Sequence, residues 1–282
     1  MNKKIIVLTG PTASGKTNLA IDLAIKLNCS IICADSRIVF KDFDIVSAKP
    51  TLEERKGVLH HLIDIKTPLE TYSAGDFTKN AKPILDKEET IIISGGSWFY
   101  IKSLLDNKEL IECPCNFELR NYYETFDNDS LYKELQKLDH KRALEIHPNN
   151  KDKIIRSIEM CLYLKKPVSE YIRKDNDNYC PKWFMVDIER QELYNRINAR
   201  VDSMIDKGLY QEWMNNKEKY PNSKLLNNTI GYSEFSDFEY KEAVDKIKQH
   251  TRNFAKRQLT YFNSNKEVVR IKTIEDIIKQ LT

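Results

Sequence analysis

Nothing in this sequence is apolar for long enough to cross a bilayer or serve as a secretory leader. The opening Met-Asn-Lys-Lys leads directly into a short strand-like run over residues 5–9. No membrane association is expected, and the cytoplasm is the expected compartment. The six cysteines (29, 33, 113, 115, 161 and 180) lack the paired spacing of a zinc site. Cys113-Pro-Cys115 is a single C-x-C without a second half. Free thiols in a reducing environment are therefore expected. Neither charge sign dominates: 45 basic and 42 acidic side chains leave a net charge of +3. Any nucleic-acid surface must come from local clustering. Repeats and low-complexity tracts are missing. So is an apolar run ending in the Asp-Glu pair of ATPase motors, which favours small transferases or kinases over motors.

What is present is enough chain, 282 residues at 41% hydrophobic, for a buried core with an appended module. Apolar runs at 5–9, 31–34 and 90–94, each followed by a loop and a helical pattern, predict buried parallel strands. A further strand is expected at 183–188. This is an α/β fold: a P-loop NTPase-like core with a parallel sheet flanked by helices. Between residues 103 and 180 strand-like runs vanish and the text becomes charged and helical. A small helical insertion is predicted there, with residues 1–102 and 181–282 forming the core.

In such sheets ligands bind beyond the carboxyl ends of the strands. After the first strand stands Gly10-Pro11-Thr12-Ala13-Ser14-Gly15-Lys16-Thr17, a full G-x-x-x-x-G-K-T between a strand and a helical pattern. Its backbone N–H groups can close around a phosphate chain, Lys16 can neutralise charge, and the Thr17 hydroxyl can ligate Mg²⁺. The motif binds phosphates without saying whose. The second strand delivers Asp35 to the same edge, where a general base or magnesium ligand belongs. A turn or helix-cap carboxylate is the plainer alternative.

Other signals are weaker singly. His60 and His61 are adjacent in a strand, hence on opposite faces, which makes a poor metal site. Gly95-Gly96 reads as a tight turn, after which Ser97 could donate to a ligand. Arg196 and Arg200 lie four apart on a predicted helix. Near the C-terminus, 3-4 spacing puts Val244, Ile247, Thr251, Phe254, Gln258 and Tyr261 on a packed side. Lys248, Arg252 and Lys256 fall on another, a basic stripe able to track phosphates or simply a solvated face.

Together these segments resemble the bacterial tRNA dimethylallyltransferases, or tRNA isopentenyltransferases, along nearly the whole chain. The matching pieces, in order, are GPTASGKT (10–17), ADSRIVF (34–40), SAKPT (47–51), HHLIDI (60–65), YSAGDF (72–77), SGGSWFY (94–100), HPNNKDKIIRSIE (147–159), LYNRINARVDSMIDKGL (193–209), TIGYSEF (229–235) and TRNFAKRQLTYF (251–262). The P-loop combined with the terminal T-R-x-x-A-K-R-Q is the most specific pairing.

The resemblance implies transfer of a dimethylallyl group from dimethylallyl diphosphate to N6 of adenosine 37 of tRNA, beside the anticodon, with Mg²⁺ present. It implies the P-loop as diphosphate cradle and Asp35, Thr17 and Arg200 as catalytic groups. Asp35, Ser36, Arg37, Ile38 and Ser97 would lie against the target nucleotide, extruded from the anticodon loop. Asp152, Lys153 and Arg156 of the insertion, with Lys248, Arg252 and Lys256, would hold the anticodon stem-loop. A monomer is expected. Two departures matter: Ile38 stands where the family carries an amide, and Trp98 replaces a glycine, which is expected to narrow the tunnel. The insertion is also short for the family, implying fewer stem contacts. The rivals are a nucleoside or nucleotide kinase binding ATP on the same loop, an enzyme prenylating free adenylate, and a non-catalytic RNA-binding protein. ATP dependence separates the first from a prenyltransferase.

Overall fold

The structure, a computed structural model, describes residues 3–106, 111, 113–171 and 179–281. From the N-terminus the chain runs β1 (Lys4–Thr9), α1 (Lys16–Leu27), β2 (Ser30–Cys33), β3 (His60–His61), α2 (Ala74–Lys87), β4 (Thr90–Ser94) and α3 (Trp98–Leu105). Four helices follow: α4 (Phe117–Glu124), α5 (Asn128–Leu138), α6 (His140–Leu144) and α7 (Lys151–Leu164). The chain then returns through β5 (Lys182–Val186), α8 (Arg190–Asp206), α9 (Leu209–Lys219), α10 (Lys224–Asn227), α11 (Ser233–Asp237), α12 (Tyr240–Asn263), β6 (Val269–Ile271) and α13 (Ile274–Leu281).

The six strands form one parallel sheet in the order β3-β2-β4-β1-β5-β6. Strand side chains alternate between faces, and this sheet is covered on both, so its central strands read as continuous apolar runs. Ile5, Val7, Ile91 and Ile93 face Phe77, Ala81 and Leu85 of α2 and Ile101 and Leu104 of α3. Ile6, Leu8, Ile31, Ile92 and Phe184 face Ala20, Ile21, Leu23 and Ala24 of α1 and Ile277 of α13. A third cluster joins Val39, Phe40 and Phe43 to Val201, Leu209, Trp213, Tyr232 and Ile247.

The chain divides into two compact units, residues 1–106 with 178–282, and residues 107–177. The boundaries differ from 102/103 and 180/181 because α3 continues to Leu105, with Ser103, Leu104 and Leu105 all buried. In the second unit, Leu131, Leu135, Ala143, Ile154, Ile155 and Ile158 make the core. Glu159, with a side chain 2% exposed, accepts from Arg120 and Arg156, which compensates a carboxylate that would be costly to bury alone.

The sequence puts His60 and His61 in a strand, which is β3, but β6 has no counterpart among the expected strands. With three residues at a sheet edge, it is too short to show a period. The packed side of α12 matches the expected one at Ile247 and Gln258 and differs from it elsewhere. Ala243, Ile247, Ala255, Gln258 and Phe262 are buried, whereas Phe254 is 37% and Tyr261 56% exposed. Helix rotation puts two alanines and Phe262 against the core where long aromatics seemed the natural choice.

Candidate functional site

The phosphate loop turns between β1 and α1 on three positive φ values: 152° at Gly10, 64° at Ala13 and 90° at Gly15. Gly10 also needs its missing side chain, since a Cβ there would come 2.8 Å from Ser14 Oγ. Gly15 caps α1 without any side-chain bond, so the first N–H groups of the helix have no capping partner. Such an end is an anion site by backbone geometry and helix dipole. The loop is braced from outside: Arg196 Nη1 donates to Ser14 O at 3.4 Å and Thr12 N donates to Gln258 Oε1 at 2.8 Å.

Asp35 follows β2. Its Oδ1 accepts from Arg37 N at 2.8 Å and Ile38 N at 3.4 Å, a local turn that fixes the carboxyl group. The plainer reading of Asp35 as a turn carboxylate thus describes one of its two oxygens. Arg37 is held by Ser36 O and, through Nη2, by Asn228 O at 3.0 Å. Ile38 is only 8% exposed and belongs to the apolar cluster under α1.

These groups line one cavity of about 360 Å³ with Thr12, Lys16, Thr17, Ser97 and Arg200. Gly95 lets the β4–α3 turn press against the end of β2, where a Cβ would lie 2.0 Å from Ala34 O. Ser97 N donates to Ala34 O at 3.1 Å, which brings the Ser97 side chain into the same cavity.

The cavity's charge is lopsided. Lys16, Arg37 and Arg200 surround the one carboxylate, Asp35, which acts electrostatically on all three. Burial holds the Lys16 ammonium down at about 8; Arg200 pushes the same way and Asp35 opposes both. Burial likewise lowers Arg200 and Arg37, again against Asp35. Cations in a low-dielectric site are costly unless paired, so this surplus is suited to a polyanion. Cys33 also lines the cavity, but burial and then Asp35 push its thiol up to about 12, which leaves it protonated and unreactive.

The expected stripe on α12 divides. Lys248 pairs with Asp202 at 2.5 Å and Arg252 Nη1 donates to Asn198 Oδ1 at 2.7 Å, both on α8. Of the three expected cations, Lys256 is the exposed one. In the helical unit Asp152 and Lys153 are exposed, whereas Arg156 binds Glu159 and Cys113 O and so staples its own unit. Trp98 does not narrow the cavity. It packs at a tilt of 45° against Trp183 at 5.3 Å and meets Phe262 edge-on at 5.9 Å, away from the lining.

Sequence reasoning assigned no site role to several lining groups: Phe254, Arg257 and Gln258 of α12, and the turn 228–231. Glu234, 1% exposed, holds that turn by accepting from Gly231 N at 2.8 Å and pairing with His250 Nδ1 at 2.7 Å. The signal was there in TIGYSEF and T-R-x-x-A-K-R-Q, but polar residues on a helix do not say which neighbour they meet.

Comparison with known proteins agrees with this geometry. A family profile described as IPP transferase matches residues 38–265. The tRNA dimethylallyltransferase of Acetivibrio thermocellus is 38% identical over 299 residues, covering 98% of this chain and 96% of that protein. The one from Staphylococcus aureus strain Newman is 38% identical over 289 residues, with coverages of 95% and 93%. Among solved structures, the tRNA isopentenylpyrophosphate transferase of Bacillus halodurans superposes with a TM-score of 0.71 at 32% identity, covering 96% of this chain and 90% of that one. A eukaryotic dimethylallyltransferase captured acting on tRNA gives 0.80 at 28% identity, covering 92% and 70%. By sequence over nearly its full length and by fold, the chain belongs to the IPP transferase family.

Proposed function

We propose that this protein transfers the dimethylallyl group of dimethylallyl diphosphate to N6 of adenosine 37 in tRNA, releasing diphosphate. The observation that carries this reading is the single cavity in which an uncapped phosphate loop, a cationic surplus and one oriented carboxylate meet. A polyanionic leaving group needs the first two features. An amine nucleophile needs the third.

In this reading the loop and Lys16 hold the donor's diphosphate, and Arg200 takes up the charge that grows as the C1–O bond breaks. The allylic carbon forms its new bond to N6. The N6 proton passes to Asp35 Oδ2, because Oδ1 is engaged by Arg37 N and Ile38 N. Serving as base at an amine lowers that amine's barrier only if the carboxylate is fixed, which the turn at Arg37 accomplishes. Ser97, Ser36 and Arg37 border the acceptor. Exposed Lys256, Lys153 and Asp152 are the groups of the earlier tRNA-binding set that remain available for its stem-loop.

Mg²⁺ fits the donor set with little protein ligation. The Thr17 hydroxyl is available, Asp35 Oδ2 is kept for the proton, and no cluster of three His, Cys, Asp or Glu suited to a metal occurs among the described residues. Most ligands would then be diphosphate and water oxygens, the usual magnesium pattern. Bound there, the ion would neutralise charge on the leaving diphosphate. Six free thiols fit a cytoplasmic site of action, and a monomer suffices, since one chain carries every group named.

The direct test is mass spectrometry of nucleosides from unmodified anticodon stem-loop RNA incubated with protein, Mg²⁺ and dimethylallyl diphosphate, beside an Asp35→Ala control. A dimethylallyladenosine peak lost in the control supports both reaction and base. No peak, with ATP consumed when small acceptors are offered, sinks the transferase and promotes the kinase.

A further inference from the structure

We infer that Phe254 and Arg257 form a stacking surface for the extruded purine, which makes this pair a recognition element for the acceptor base. The inference rests on the tRNA-prenylating reading above. Phe254 is 37% exposed, in a helix whose packed positions are taken by Ala243, Ile247, Ala255, Gln258 and Phe262. It nonetheless lines the cavity, as Arg257 does. The Arg257 guanidinium lies over the Phe254 ring, 5.8 Å from its centroid. An aromatic ring and a guanidinium plane are the two surfaces on which proteins hold unstacked bases.

Position along the helix supports a base over a prenyl chain. Gln258 touches the phosphate loop through Thr12 N, and Phe254 precedes it by one helical turn, about 5–6 Å of rise. Donor phosphates and acceptor base therefore meet the same wall at adjacent levels. A prenyl tail gains little from a guanidinium, whereas a purine face gains from both members of the pair. The energetic need is also specific. A base leaving the loop stack loses neighbours, and stacking on one aromatic side chain restores part of that loss.

The test is fluorescence-anisotropy binding of labelled anticodon stem-loop RNA without donor, using one RNA with the target adenosine and one abasic there. Phe254→Leu keeps an apolar side chain at an exposed position and should fold. It should weaken binding of the adenosine RNA about tenfold, within the range of one stacked base. Binding of the abasic RNA should not change. Phe254→Trp should retain full discrimination between the two RNAs. Equal loss on both RNAs, no loss on either, or weakened dimethylallyl diphosphate binding in Phe254→Leu overturns the inference while leaving the tRNA reading intact. Wild-type protein that binds neither RNA takes down both.

Discussion

Gln258, near the end of α12, accepts a hydrogen bond at Oε1 from the backbone N–H of Thr12, 246 positions earlier, at 2.8 Å. Its Nε2 donates to Gly96 O at 3.1 Å. One buried amide thus ties the phosphate loop to the turn that presents Ser97. Gly96 must lack a side chain for this, since a Cβ would fall 2.1 Å from Gln258 Nε2. Gln258→Leu strands two backbone groups and should cost about 2–4 kcal/mol in urea unfolding, with a fall in kcat/KM for the donor. Gly96→Ala should do similar damage by expelling the amide. The double variant should cost little more than the worse single change, because both remove one link. Simple additivity would mean that the link does not exist.

Lys16 supplies a pH dependence of fixed sign. Its pKa is about 8 in the free protein, below its ordinary value of 10.5. Bound diphosphate favours the charged form, so donor binding takes up a proton above that pH. Affinity should be level below about pH 8 and fall roughly tenfold per unit above it. For folding the sign is reversed. A lysine depressed in the native state destabilises at neutral pH, and this penalty is relieved as pH rises from 8 towards 10.5. Isothermal titration with dimethylallyl diphosphate across pH 7–10 reads the first effect; Lys16→Arg should remove the break.

Arg200 and Asp35 pull Lys16 in opposite directions, so their variants should move that break oppositely. Arg200→Gln removes a cation and should shift it upward, while slowing turnover about 10²–10³-fold. Asp35→Asn should shift it downward and slow turnover about 10²–10⁴-fold. The same titration, repeated on each variant, distinguishes a group acting on charge from one that merely shapes the loop.

The buried Glu234 carboxylate accepts from Gly231 N, Ser233 Oγ and His250 Nδ1. Glu234→Leu should destabilise by about 3–5 kcal/mol by leaving those donors unpaired, whereas Glu234→Gln should recover part of the loss. Because Gly231 sits at φ 102° in the cavity wall, the leucine variant should also raise the KM for RNA. Urea denaturation and steady-state kinetics check the two halves separately.

Salt dependence should separate the α12 cations. Lys256 is exposed, so Lys256→Ala should lower the slope of log affinity for stem-loop RNA against log salt by about one. Lys248 is committed to Asp202, and Lys248→Ala should change that slope less. Equal changes would mean that the ion pair opens on binding.

The sequence by itself determined the sheet core, the phosphate loop and the helical character of residues 117–164. Each is written in local periodicity or in a motif whose function is a backbone conformation. Asp35 was legible too, since a strand delivers its next residue to a known edge. Only the tertiary structure decided which residues of α12 face the site, because rotation about a helix axis is set by what packs beneath it. Alanines at 243 and 255 and Phe262 turned inward, leaving Phe254 and Arg257 in the cavity and committing Lys248 and Arg252 to α8. Trp98 found its room against Trp183 for the same reason. Partners 85 to 246 positions apart leave no local pattern, since their contact exists only once the sheet has brought both ends of the chain to one edge.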